Sequence, residues 1–306
     1  MTPDDLRVAG FLDARRALSF LEELPAGQDW VGDLSASADP DQALLQAVRL
    51  READPGLVDA LSADERARRR VCAILGASQW LGDYVIAEPE RAAAINEDPG
   101  DPRDVLFEAV GARALSSGAW VAGREANADD LRAAYRRVLL HLAADDLTSA
   151  SPEAAMPSVG ARIADLVDAT MDAGLALARR DVDPEGTVPF AIIAMGKTGA
   201  RELNYISDVD VIYVAKADPS GFRHGLGLLG PGKRGAAVDR GREPATRGAQ
   251  RRPRAHDRVL PPVLGQVGAD LGVSGAAQGA CVRGRPTARP RLRGSRPALR
   301  VGRFGA

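Results

Sequence analysis

Beyond about residue 219 the chain loses the means to bury a core, and this break confines folding to what precedes it. The last 86 residues hold 17 glycines, 17 arginines and 8 prolines, with no Ile, Tyr, Trp or Met. Ordering such a segment costs more conformational entropy than its apolar surface returns, so it is expected to be disordered. One lysine and the 17 arginines there face four acids, a net of plus 14, which leaves minus 16 on residues 1–220 of a chain whose sum is minus 2. A basic arm for nucleic acid would interleave aromatic residues for base stacking, which this segment does not do, so no nucleic-acid partner is expected.

Residues 1 to about 180 read as a succession of helices. Thr2-Pro3-Asp4-Asp5 offers an N-cap, a proline at the first helical position and acids in the first turn, and Asp39-Pro40-Asp41 repeats the device. Ser62-Ala-Asp-Glu65 has the form of a capping box ahead of "RARRRVCAIL". Val71, Ile74 and Leu75 recur at helical spacing, as do Leu131, Tyr135, Val138 and Leu139, so each helix has one face to bury. A further helix is expected over about 158–180, closed by a turn at Asp181–Gly186. On residue type alone, Trp80, His141 and Cys72 read as packing residues, and the "RARRR" run at 66–70 as a solvated helix face.

The period then changes. Phe190–Ala194 is a short continuous apolar run, and Val209, Val211, Ile212, Tyr213 and Val214 form a second, β-branched one. Two strands around a glycine-rich connection follow. The expected division is a helical domain over 1–150, a partial α/β domain over 151–218 and a tail over 219–306.

The connection carries the chemistry. On a strand, Asp208 and Asp210 share a face, roughly 6–7 Å apart at the backbone. Two like charges at about 6 Å repel by roughly 3 kcal/mol at an effective dielectric near 20, so a pair kept ionised calls for a cation. Mg2+ suits it, because this ion takes hard oxygen ligands, keeps several waters and is commonly held by one or two carboxylates plus substrate phosphates. A bare Asp-x-Asp also describes a solvated strand edge. Gly196 and Gly199 permit the backbone to approach a phosphate, particularly if a helix starts near Ala200, and Lys197 adds a point charge. Gly196-Lys197-Thr198 is not a Walker A loop, whose first glycine would stand where this chain has Ala191.

The order strand, Gly-Lys-x-Gly turn, short helix, strand with Ser207-Asp208-x-Asp210 resembles the nucleotidyltransferase fold related to DNA polymerase β. More narrowly, "MGKTGARELNYISDVDVIYV" resembles the bifunctional glutamine synthetase adenylyltransferase/adenylyl-removing enzymes, and "LGASQWLGDYVIAEPE", residues 75–90, resembles their helical lead-in. The likeness covers roughly residues 5–216, and its placement after about 190 helical residues is similar to the N-terminal, AMP-removing half. It implies a mostly helical domain followed by an incomplete α/β nucleotidyltransferase domain. It implies Asp208 and Asp210 as Mg2+ ligands, Gly196, Lys197 and Gly199 as phosphate-positioning residues, and Ser207 as fixing the loop or touching a phosphate oxygen. Glu202 and Leu203 are read as structural. The implied reaction is attack of inorganic phosphate on an AMP-tyrosine of glutamine synthetase, releasing ADP; the other half of such enzymes transfers AMP from ATP. Implied partners are glutamine synthetase, ATP or ADP, phosphate and a PII-type signalling protein. A non-catalytic helical protein-binding module, with "GKTGARE" a simple turn, remains the competing reading.

A third carboxylate is expected from a later strand, where the nearest text is Val238-Asp239 inside the degraded tail. Permitted codons for residues 260–281, "LPPVLGQVGADLGVSGAAQGAC", read one nucleotide later, yield a stretch ending "TWEFQALLKAR" that resembles the family's own continuation. This is the pattern of a frameshift after about Ala217 and makes an inactive fragment the expectation. Two cysteines, Cys72 and Cys281, make no disulfide framework and three histidines no His-rich metal site. With no apolar run of about 18 residues and an acidic N-terminus, neither membrane insertion nor export is indicated, and a cytoplasmic location is expected.

Overall fold

The computed structural model describes residues 1–216 and the short segments 236–237 and 279–281. The expected disorder of the tail, the expected frameshift and the position of Asp239 lie outside the described residues. The elements are α1 (Pro3–Val8), α2 (Ala14–Glu23), α3 (Gly27–Ser35), α4 (Pro40–Ala53), α5 (Pro55–Ala63), α6 (Glu65–Ala77), α7 (Gln79–Ala87), α8 (Ala93–Asn96) and α9 (Pro102–Ala109). Then come β1 (Arg113–Ala114), β2 (Trp120–Val121), α10 (Ala128–Leu147), α11 (Pro152–Val182), β3 (Phe190–Ala194), α12 (Gly196–Ala200), β4 (Val211–Ala215), β5 (Ala236–Ala237) and β6 (Gly279–Cys281). The chain is mostly helical, as its periodicity requires. Among the described residues, no helix is long and apolar enough to cross a membrane.

Several helix starts follow the local chemistry. The Thr2 hydroxyl accepts from the Asp5 amide while Asp5 answers the Thr2 amide, closing a capping box on α1, and Asp39 accepts from Gln42 N–H at 2.9 Å to cap α4. The capping box expected at Ser62 is not formed. Ser62 belongs to the last turn of α5, where its hydroxyl donates to Val58 C=O, and Asp64 caps α6 by accepting from Ala67 N–H. Asp64 directly precedes the first helical residue and reaches the free amides of that turn; Ser62 is already spent on its own helix.

Among the described residues two compact units emerge, Met1–Pro102 with Tyr135–Arg162, and Arg103–Ala134 with the described residues from Ile163 onward. The first packs a core from Leu6, Trp30, Leu34, Leu44, Leu50, Ile74, Leu75, Ile95 and Leu140. Val71 and Cys72 are buried with them, and burial pushes the Cys72 thiol well above its ordinary range. The "RARRR" run is not a uniformly solvated face: Arg66 and Arg69 are exposed, but Arg68 and Arg70 are buried. Arg68 pairs with Asp33 at 2.7 Å and donates to Ser62 C=O. Arg70 donates twice to Ile95 C=O and pairs with Asp145, which also takes Arg162 at 2.9 Å. Each buried guanidinium is therefore satisfied on several donors, the condition under which burial of charge is tolerated. Trp80, expected in the core, is 52% exposed; it stacks on Tyr84, and the Arg136 guanidinium covers both rings. His141 is half-buried and polar in its contacts, with Asp145 3.5 Å from Nε2.

The second unit supports the two strands. At the end of α11, Arg179 and Asp183 form an ion pair with both side chains only 3% exposed. Asp183 also accepts from the Thr187 amide and hydroxyl and the Val188 amide, and Arg179 donates to Val188 C=O. The Asp181–Gly186 turn is thus clamped, and β3 leaves it along a defined line. β3 pairs antiparallel with β4, Phe190 facing Ala215 and Ala194 facing Val211. Phe190 and Tyr213 meet diagonally with ring centres 6.0 Å apart. The second strand begins at Val211 rather than Val209. β6 pairs in parallel with β4, and β5 with β6, giving the order β3-β4-β6-β5.

Replacing Asp183 by alanine strands a buried guanidinium, and a loss of about 3–5 kcal/mol in denaturant unfolding is expected. Acid should weaken the first unit. Burial holds His141 below its ordinary value, against the pull of Asp145 and Asp98 and with the push of Arg70 and Arg162. Burial opposes charge on Asp145 too, yet hydrogen bonds from Arg70 and Arg162 outweigh it and hold the carboxyl below its usual range. Both folded pKa values lie below their unfolded ones, so the unfolded chain binds more protons through each window. Stability is expected to fall as pH drops below about 6.5 and again below about 3.9, with His141→Asn flattening only the upper decline in unfolding curves taken at successive pH values.

Candidate functional site

The candidate site grows from the end of the β3–β4 ladder. Past Ala194, the Met195 amide donates to Asp210 C=O at 2.9 Å, carrying the pairing one step beyond β3 and fixing the Asp210 backbone. Gly196 then turns the chain at φ +53°, a left-handed conformation costly to residues with a Cβ. A Cβ there would lie 3.6 Å from Asp210 Oδ2, so the Asp210 carboxylate sits over this turn.

The helix anticipated near Ala200 instead starts at Gly196 and ends at Ala200. The left-handed turn at Gly196 begins the winding at once. Arg201, at φ +62°, stops it, its amide returning to Thr198 C=O and the Glu202 amide to Lys197 C=O. Gly199 lies so close to β3 that a Cβ would come 2.6 Å from Ala194 C=O. The Arg201 guanidinium grips both oxygens of Asp165 on α11 at 2.6 Å, a bond that raises its pKa and anchors the end of α12. Lys197 is exposed, whereas Thr198 is buried and its hydroxyl has no partner among the described residues. Leu203 is buried and Glu202 exposed.

The return to β4 passes through a closed turn. Asn204 Oδ1 accepts from the Ser207 hydroxyl at 2.8 Å and the Ile206 amide at 3.2 Å, while the Ser207 amide donates to Asn204 C=O. Burial then alternates: Asp208 exposed, Val209 buried, Asp210 exposed, Val211 buried. The two aspartates accordingly share the solvent side of the segment entering β4, although both precede the strand itself. Among the described residues neither carboxylate has a hydrogen-bond or ion-pair partner, and Lys197 has none.

The structure thus brings Gly196 and Asp210 together and puts Asp208 on the side of Asp210. It gives the Ser207 hydroxyl to Asn204 within the loop. Among the described residues, no three His, Cys, Asp or Glu side chains gather as a metal set. Two exposed, unpaired carboxylates do fit an ion that keeps waters and takes phosphate oxygens as its other ligands. Sequence reasoning missed Asn204 and the Arg201–Asp165 clamp. The Asn-x-x-Ser spacing was a readable turn signal; the ion pair joins residues 36 apart and had none.

Gly199→Ala should displace α12 from β3 and cost about 1–3 kcal/mol, read as a lowered unfolding midpoint. Gly196→Ala meets only ordinary contact distances and should cost about 1–2 kcal/mol from backbone conformation alone.

The family model described as glutamate-ammonia ligase adenylyltransferase matches residues 68–224. The bifunctional glutamine synthetase adenylyltransferase/adenylyl-removing enzyme of Leifsonia xyli subsp. xyli is 38% identical over 227 residues, covering 67% of this chain and 22% of that protein. The protein of the same description from Cutibacterium acnes is 39% identical over 195 residues, 61% of this chain and 20% of its own length. That from Bifidobacterium longum subsp. infantis is 34% identical over 232 residues, 69% and 22%. The chain therefore spans about a fifth of the length of the curated relatives it matches.

Proposed function

Since the chain belongs to the glutamate-ammonia ligase adenylyltransferase family, we propose that its Gly196–Asp210 segment is the nucleotide end of an Mg2+-dependent nucleotidyl-transfer site directed at glutamine synthetase. The observation that carries this is the seating of the Asp210 carboxylate over the Gly196 turn, with Asp208 unpaired on the same side. Like charges placed together without protein cations represent an unfavourable arrangement that a divalent ion relieves.

In this reading Asp208 and Asp210 hold Mg2+, which when bound neutralises phosphate charge and aligns the reacting oxygens. Gly196 and Gly199 let the backbone come close to a phosphate, and Lys197 supplies a mobile positive charge beside it. The reaction is phosphorolysis: an oxygen of inorganic phosphate bonds to the AMP phosphorus, the bond from phosphorus to the tyrosine oxygen breaks, and that oxygen takes up a proton as ADP leaves. The chain's contribution is alignment and charge, with no covalent intermediate on the protein. The AMP-removing direction rests on the motif's place after a long helical region. The α/β nucleotidyltransferase fold, ATP as a ligand and a PII-type regulator belong to the same proposal.

Titration calorimetry of the 306-residue chain with ADP, with and without Mg2+, tests the site. Binding that requires Mg2+ and falls at least about tenfold in Asp208→Asn and in Asp210→Asn is expected. ADP binding indifferent to both substitutions, or none at all, would leave the helical protein-binding module as the better description.

A further inference from the structure

We infer that Asn204 is a positioning residue for Asp208, acting through the turn that carries Ser207. This rests on the reading of Asp208 and Asp210 as metal ligands and goes beyond it by assigning how one of them is aimed. The two aspartates are held by different means. Asp210 is pinned through its own backbone by the Met195 amide and abuts the first pair of the β3–β4 ladder. Asp208 lies two residues further from the ladder, and its chain direction comes from buried Val209 on one side and the 204–207 turn on the other.

The Asn204 side chain closes that turn together with two bonds of the Asn204 backbone. The Ile206 amide can only donate, so the Asn204 atom facing it is the carbonyl oxygen, and the same oxygen takes the Ser207 hydroxyl proton. The backbone N–H of Asn204 donates to Ser207 Oγ at 3.4 Å. The turn lies at the surface, with Ile206 at its tip 92% exposed. Removal of the Asn204 side-chain carbonyl takes the acceptor from the Ser207 hydroxyl and the Ile206 amide together, leaves the turn on its backbone bonds and loosens the aim of Asp208. Aspartate at 204 keeps an acceptor oxygen in the same place and preserves the turn.

Mn2+ binding to the 306-residue chain, followed by loss of the free-ion electron paramagnetic resonance signal, reads this without requiring turnover. Asn204→Ala is expected to weaken Mn2+ binding about tenfold, the low end for groups that orient metal ligands, while Asn204→Asp stays within about twofold of the unaltered chain. The weakening should disappear on an Asp208→Asn background and persist on an Asp210→Asn background, a pattern that general damage to the fold would not produce. Asn204→Ala binding like the unaltered chain, Asn204→Asp falling as far as Asn204→Ala, or equal weakening on both backgrounds overturns the positioning role alone. Failure of the unaltered chain to bind Mn2+ overturns the metal reading and this one together.

Discussion

The antiparallel register of β3 on β4 is the constraint from which the candidate site follows. With Ala194 opposite Val211, the next amide, that of Met195, finds the Asp210 carbonyl, and Gly196 must then reverse the chain above the Asp210 carboxylate. A slip of one residue would exchange the faces of the whole strand, burying the aspartates and exposing Val209, Val211 and Tyr213. Burial of those apolar residues therefore also exposes the acids. The glycine-rich turn and the acidic pair are two consequences of one pairing, although residues 200–207 separate them along the chain.

Charges buried among helices brace each unit from within. Arg68, Arg70 and Arg179 would each be strongly destabilising if alone, and each is met by a carboxylate and by backbone carbonyls. The Arg179–Asp183 pair matters most to the site, because its hydrogen bonds to residues 187 and 188 set where β3 begins. Arg201 does the corresponding work at the far end of α12, where Asp165 holds a left-handed residue that the backbone alone would disfavour. The loop is thereby tied at both ends, and its exposed middle, from Gly196 to Lys197, is left open to solvent.

Within the return segment the same polar economy is local. Asn204 and Ser207 satisfy one another and the Ile206 amide, so the turn keeps its shape without a core beneath it. Beside this turn, Asp208, Asp210 and Lys197 are exposed and have no side-chain partner among the described residues, the arrangement that the proposed function uses.

The helices, their capped starts at Thr2 and Asp39, the strand Phe190–Ala194 and the Gly-Lys-x-Gly to Asp-x-Asp order were legible in the sequence, because each is set by neighbours within a few residues. Local signals also misled. Ser62 has the letters of a cap but lies inside the preceding helix, Arg68 and Arg70 sit in a basic run yet are buried, and Trp80 lies in an apolar segment yet is exposed. By itself the sequence determined which segments wind or extend and which residue types gather at the turn, since periodicity and backbone preference act along the chain. Only the tertiary structure decided that Asp210 lies over Gly196, that Asp165 anchors Arg201 and that Asp183 meets Arg179 in the dry interior. Those outcomes depend on which donors find acceptors across space once the backbone is packed, and adjacency in sequence carries no record of that.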